Sequence, residues 1–133
     1  MSINLVALIS ATLVIATPLV WAGIGEVVIE KTGVLNLGIE GTMVAGAFAA
    51  FVVADVTGSP WLGLLAATVA GAVAGLLMGL LAVTLGQNHH VSGLGITLML
   101  IALCEFSFRV GYGGERPRLA HKFHPLLDGM GIL

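Results

Sequence analysis

The residues with the clearest chemical potential lie in one short block, residues 33–41, which reads Gly-Val-Leu-Asn-Leu-Gly-Ile-Glu-Gly. Three glycines, an amide and a carboxylate stand here at the edge of an apolar segment. Glycine permits a break in a helix, and Asn36 can cap the half-helix that follows. The backbone groups freed by such a break are tolerated only beside protein or a water-filled cavity. The block therefore predicts a broken helix, a device that transporters place near their solute paths.

Glu40 lies inside the predicted membrane span, where an ionised carboxylate costs about 2.5 kcal/mol or more. One hypothesis is that it lines or braces a translocation path. The alternative is that it hydrogen-bonds the backbone groups freed by the break and holds the kink. Neither role is catalytic, and the sequence predicts no catalytic residue. The candidate residues of the path and the broken helix are Gly33, Asn36, Gly38, Glu40 and Gly41.

The remaining polar residues do not form a recognisable active site. His89 and His90 are interpreted as polar residues at a water interface rather than as solute contacts. No group of Cys and His residues has the spacing of a zinc site, so no metal site is expected. The sequence also lacks a Gly-x-x-x-x-Gly-Lys-[Ser/Thr] phosphate loop. We therefore expect no cofactor, and any energy from ATP must come from a partner.

The composition indicates which elements position these residues. Hydrophobic residues make up 58% and charged residues 9% of the 133-residue chain, and the mean hydropathy is +1.09. These values exclude an ordinary soluble domain, because such domains carry roughly a quarter charged residues. The absence of any run of Lys and Arg argues against a nucleic-acid partner. Half of the 12 charges fall in the last 25 residues, so residues 109–133 are predicted to be a polar tail.

The apolar segments predict an all-α integral membrane protein with about four transmembrane helices within residues 1–108. Each segment, with its flanks, approaches the length needed to cross about 30 Å of hydrocarbon. The first segment is predicted to be a retained span that bends at Pro18, because no basic residues mark a cleaved signal peptide. Pro60 is predicted to start the third span after a cap at Ser59. The spans cover about residues 2–25, 33–54, 61–85 and 91–108.

Small residues recur every four positions along the third span, which places them in one stripe on the helix. Such a stripe allows another helix to approach closely. General packing in a helical bundle is the favoured interpretation over a dedicated dimer contact. The predicted packing residues are Gly63, Gly71, Gly75 and Gly79.

The approach to the fourth span contains the other candidate solute contacts, Asn88 and Ser92. Asn88 can instead cap the helix that follows, which is the favoured interpretation. Near the end of this span, Glu105 and Arg109 stand four residues apart and are predicted to pair. The positive-inside rule places both chain ends in the cytoplasm, unless a re-entrant segment around Asn36 changes the number of crossings.

The block at residues 33–41, together with Thr42 to Phe48, resembles a motif of the binding-protein-dependent ABC transporter permeases of the branched-chain amino acid, sugar and nucleoside group. Residues 58–63 and the block formed by Asn88 and residues 91–94 agree with this family in order and spacing. The resemblance covers about residues 17–103 and is strongest to the simple-sugar and nucleoside branch. It implies a multi-pass permease subunit in the bacterial inner membrane. The implied partners are an ATP-binding-cassette ATPase, a second permease subunit, an extracytoplasmic solute-binding protein and the lipid bilayer.

Several features depart from this family. His89 and His90 stand where the family has an amide and a valine, and the pattern is lost after Glu105. Permeases of this group are also about twice as long as this chain, which resembles an N-terminal part. Two alternatives therefore stay open. One is a small four-span protein that dimerises through the glycine stripe and exchanges protons for a cation through Glu26 or Glu40. The other is a permease fragment that does not transport.

Overall fold

The computed structural model describes residues 5–113, and this part of the chain forms four long helices without any strand. All four are long and apolar enough to cross a membrane, counting the turn that extends the third. The predicted all-α membrane fold is therefore confirmed. The predicted polar tail lies almost entirely outside the described residues. The helices are α1 (Leu5–Glu30), α2 (Ile39–Thr57), α3 (Pro60–Gly79, continued by a π-helical turn at Leu80–Thr84) and α4 (His89–Tyr112).

The first helix is longer than the predicted span, because Glu26 and Glu30 end the apolar run without ending the helix. The helix stops where Thr32 and Gly33 donate backbone hydrogen bonds to Ile29 and Glu30. Gly33 has a φ of 83°, which side chains rarely tolerate and which turns the chain out of the helix. Pro18 lies inside α1, and the bend expected there stays a prediction.

A tight turn joins α2 to α3. Gly58 ends α2 with a φ of 67° and donates its N–H to the carbonyl of Ala54 at 2.9 Å. Pro60 then occupies the first turn of α3, as predicted, since its missing N–H is not needed there. Ser59 stands at the cap position, but its side chain makes no capping hydrogen bond. The turn places α2 and α3 side by side and antiparallel.

Glycine contacts hold α2 between α3 and α4. A Cβ at Gly63 would lie 2.7 Å from the carbonyl oxygen of Ala50, and a Cβ at Gly41 would lie 2.5 Å from Thr97 Cα. Only glycine allows backbones this close, and such contacts are typical of helix packing in membranes. Gly41 meets Thr97 in the N-terminal halves of α2 and α4, and Phe51 meets Phe108 in their C-terminal halves, so the two helices run parallel.

The opposite end of the α2–α4 pair is joined by aromatic and polar contacts. Phe51 of α2 lies against Phe108 and Tyr112 of α4, with ring centroids 6.4 Å and 5.4 Å apart. The Tyr112 hydroxyl donates a 3.0 Å hydrogen bond to Asp55. Glu105 and Arg109 form the predicted ion pair on the exposed side of α4. Cys104 is buried, as expected for a small hydrophobic residue.

Candidate functional site

A non-helical segment, residues 31–38, connects α1 to α2 and is called the loop below. The break predicted near residues 33–41 falls partly in this loop, which ends before α2 begins at Ile39, and α2 itself runs unbroken to Thr57. The sequence predicts that Asn36 caps the following helix, but in the structure it does not cap α2. Its Oδ1 accepts a 2.9 Å hydrogen bond from the N–H of Gly38, two residues on, which closes a local turn before the helix starts. This short turn fixes the direction of the Asn36 side chain.

Side chains from three helices pair with the loop's backbone groups. Glu26 Oε1 of α1 accepts from the Asn36 N–H at 2.9 Å. The hydroxyl of Thr97 in α4 donates to the Leu37 carbonyl at 2.9 Å, and the hydroxyl of Thr42 in α2 donates to the Gly38 carbonyl at 2.9 Å. Unpaired backbone groups are costly beside lipid, and these bonds satisfy three such groups of the loop.

The loop also lies very close to the backbone of α4. A Cβ at Gly93 would lie 2.9 Å from the backbone nitrogens of Leu37 and Gly38, and Gly38 is itself buried. No residue larger than glycine fits at position 93 without moving the loop. The predicted site residues Gly38 and Gly41 are therefore both points where α2 and the loop approach α4. Gly33, in contrast, is exposed at the end of α1.

Two cavities meet at Asn36. The larger, of about 320 Å³, lies between α1, α2 and α3, and the smaller, of about 190 Å³, lies between the loop and the C-terminal end of α3. Both are walled mainly by glycine, alanine and aliphatic side chains. The walls of the larger cavity are Ala22, Gly25, Ile29, Asn36, Ile39, Thr42, Met43, Ala67, Gly71 and Gly75.

The polar groups that line these two cavities are hydrogen-bonding groups. The Asn36 amide nitrogen makes no hydrogen bond within residues 5–113 and is a free donor. Thr42 lines the larger cavity, and Thr32 lines the smaller one. An amide and hydroxyls amid small apolar walls suit the recognition of hydroxyl groups on a small molecule. Within the described part of the chain, no group of three or more His, Cys, Asp or Glu residues could hold a metal ion.

Glu40 occupies a different position from the one expected for a brace. Its side chain is exposed in the first turn of α2 and lines neither of these two cavities. It makes no hydrogen bond to the described residues. The first turn of a helix favours a negative charge, which suits a carboxylate there. Glu26 holds the loop's backbone instead of Glu40, and a role for Glu40 in the translocation path stays a prediction.

The two candidate contacts at the start of α4, Asn88 and Ser92, differ in their bonding. Asn88 caps α4, since its Oδ1 accepts from the N–H groups of His90 and Val91 at 3.0 Å and 3.4 Å. Ser92 is half-buried one turn further on. Capping, the favoured interpretation, is therefore what Asn88 does, and contact of either residue with solute stays a prediction.

The glycine stripe of α3 divides into two parts. Gly63 packs tightly on α2, and a Cβ at Gly71 would just reach Thr42 at 4.0 Å. A Cβ at Gly75 or Gly79 would meet nothing within 4 Å, and both glycines line the cavities near Asn36. Among the described residues the stripe thus forms a helix contact at one end and a cavity wall at the other. Packing of another helix against Gly75 and Gly79 stays a prediction.

Two residues of this site were not singled out for it by the sequence. Glu26 is the first acid after a charge-free stretch, a signal that could have identified it as a polar anchor. Thr97 is one of several hydroxyl residues in α4, and its bond joins residues 60 positions apart. Nothing in the local sequence indicates that contact.

Comparison with known proteins decides the family. Residues 8–119 match the family described as the branched-chain amino acid transport system / permease component. The chain belongs to this permease family. It is 41% identical over 99 residues to a putative glucose ABC transporter permease protein of Haloferax volcanii, covering 74% of this chain and 30% of that one. No solved structure matches the chain significantly.

Two further relatives are named for nucleosides. The permease is 36% identical over 112 residues to the guanosine ABC transporter permease protein of Bacillus subtilis, covering 80% of this chain and 35% of the relative. It is 38% identical over 117 residues to a nucleoside ABC transporter permease protein of Lactococcus lactis, covering 83% and 37%. The chain spans about a third of the length of these relatives.

The family and the four apolar helices identify a multi-pass protein of the bacterial inner membrane. They confirm the resemblance to sugar and nucleoside permeases that begins with residues 33–41. The matched relatives are transport permeases, so the expectation that the chain is not an enzyme is also confirmed.

Proposed function

We propose that this permease forms part of the membrane-spanning subunit of an ATP-binding-cassette importer that carries a simple sugar or a nucleoside across the inner membrane. The match of residues 8–119 to the permease family carries the proposal. The names of the three relatives, which concern glucose, guanosine and nucleosides, support this class of solute.

The proposed assembly contains the partners on which such an importer depends. A cytoplasmic ATP-binding-cassette ATPase supplies energy, a second permease subunit completes the path, and an extracytoplasmic binding protein delivers the solute. The 133 residues contain no phosphate-binding loop, so they do not themselves supply the ATPase.

The cavities around Asn36 are the proposed segment of the solute path. Asn36 offers a donor to a hydroxyl group, and the small residues of α1 and α3 leave room for a ring. Sugars and nucleosides both present hydroxyl groups on a five- or six-membered ring, so the site suits both. Weak polar contacts also suit a path, since a solute must leave it as readily as it enters.

The alternative of a small proton-coupled exporter gains no support from the matched family. Its expected signature is proton-dependent cation export by vesicles that contain only this chain, and the importer hypothesis predicts none.

Deleting the gene from its host tests the proposal. Initial uptake of radiolabelled glucose and guanosine is measured in the parent, the deletion strain and the deletion strain carrying the gene on a plasmid. The proposal predicts loss of uptake of one solute and its recovery with the plasmid. Uptake of both glucose and guanosine that is independent of the gene would overturn it.

A further inference from the structure

Glu26 is placed as an anchor for the loop rather than as a residue of the lipid-facing surface. It lies on the same side of α1 as Ala22, Gly25 and Ile29, which form the α1 wall of the larger cavity. Its Oε1 atom accepts the Asn36 N–H at 2.9 Å. Its Oε2 atom is shielded from solvent and has no partner among residues 5–113. A carboxylate held this way inside a membrane span is costly, which points to a function.

Asn36 links Glu26 to the residue that precedes α2. The backbone N–H of Asn36 is bound by Glu26, and its side-chain Oδ1 is bound by the N–H of Gly38. These two bonds fix the backbone and the side chain of one residue, and they leave its amide nitrogen as the free group. Since Asn36 lines both cavities, they determine which way this donor points.

The anchor matters because α1 is otherwise weakly packed. No residue of α1 is buried within the described structure, whereas α2, α3 and α4 meet at close glycine contacts. Packing of buried side chains therefore does not fix the distance between α1 and the loop. A directional hydrogen bond to a carboxylate, about twice as strong as a neutral one, can fix it instead.

We propose that Glu26 is a positioning residue of the solute path, which acts by holding the Asn36 amide toward the cavity between α1 and α3. This inference rests on the proposed function for the claim that the cavity carries solute. Glu26 itself contacts the loop and not the solute. Its effect on transport must therefore pass through the Asn36 side chain.

The hydrogen bond can be tested without any transport measurement. In the full permease with Cys104→Ala, a cysteine replaces Val34, a loop residue that lines the smaller cavity. Glu26→Ala should raise the rate of maleimide labelling at position 34 roughly tenfold, the factor expected for loss of a hydrogen bond to a charged group. Glu26→Gln keeps an acceptor and should label slowly. Glu30→Ala is the matched control, because Glu30 is an exposed acid on the same helix.

Glu26→Asp replaces Glu26→Ala if the alanine variant does not accumulate in the membrane, because its shorter side chain withdraws the acceptor from the loop. Labelling of either variant at the rate of the Glu30→Ala control would overturn the proposal.

Transport then separates positioning from general stability. Glu26→Ala should raise the half-saturation concentration for uptake roughly tenfold at equal protein in the membrane, and Glu26→Gln should restore it. In an Asn36→Ala background, Glu26→Ala should have no further effect, because the group it positions is gone. Additive losses in the double variant would overturn the proposal. If Glu26→Ala labels faster but the unaltered permease takes up no solute, the hydrogen bond from Glu26 to the loop stands. The proposed function and the solute path are then overturned.

Discussion

Replacing Gly41 by alanine should push α2 away from α4 and destabilise the bundle. An ideal Cβ at this position would lie 2.5 Å from Thr97 Cα and 3.1 Å from the Thr97 carbonyl oxygen. Carbon atoms rest at about 3.5–4.0 Å, so the two helices must separate by about 1 Å or more. The opposing atoms belong to the backbone and cannot rotate away.

The separation also strains the contact between α4 and the loop. The Thr97 hydroxyl donates to the Leu37 carbonyl at 2.9 Å, and a shift of this size takes the bond beyond its usual length. Overpacking in a close contact costs about 1–3 kcal/mol. We therefore expect Gly41→Ala to lower the free energy of unfolding by about this amount.

The assay is the thermal unfolding of the purified permease in detergent, followed by the fluorescence of a thiol probe that reacts with Cys104 as it becomes exposed. Gly95→Ala is the matched control, because a Cβ at Gly95 meets nothing within 4 Å and alanine is the better helix former. Gly41→Ala should unfold at a lower temperature, and Gly95→Ala at the same or a higher one. Equal unfolding temperatures for the two variants would refute the close contact.

Three further substitutions test individual contacts by the same unfolding measurement. Thr97→Val removes the hydroxyl that pairs with the Leu37 carbonyl and should cost about 0.5–1.5 kcal/mol, whereas Thr97→Ser should cost less; equal stability of the valine variant would contradict this bond. Asn88→Ala removes the cap of α4 and should cost about 1 kcal/mol, which Asn88→Asp should largely avoid. Arg109→Ala should change the free energy of unfolding by less than about 0.5 kcal/mol, because its ion pair with Glu105 is exposed to solvent. A larger loss would contradict the weak contribution expected of this pair.

The sequence predicts the helices well because their signals are local. Apolar length identifies the spans, Pro60 marks the start of α3, and the glycines at positions 33 and 58 mark the turns that end α1 and α2. The error at the end of α1 has a physical cause. A charge such as Glu26 ends a hydrophobic run, but glutamate is a good helix former and the backbone continues as a helix.

A site residue can be predicted from the sequence only where its own chemistry is enough to identify it. Asn36 is identified by the sequence, because an amide between glycines in an apolar span is unusual. The partners of the loop are not identified, because Glu26 lies 10 positions from Asn36 and Thr97 lies 60 positions from Leu37. The local sequence also cannot distinguish Gly63, which packs on α2, from Gly75, which faces a cavity.

The central claim is tested most directly by the uptake of the transported solute in the deletion strain carrying either the unaltered gene or the Asn36→Ala variant. The amount of each protein in the membrane is measured in parallel. We predict that the unaltered gene restores uptake, and that Asn36→Ala lowers the initial rate roughly tenfold at subsaturating solute, as for the loss of one hydrogen bond in the path. Full uptake by the Asn36→Ala variant would contradict the assignment of this cavity to the solute path.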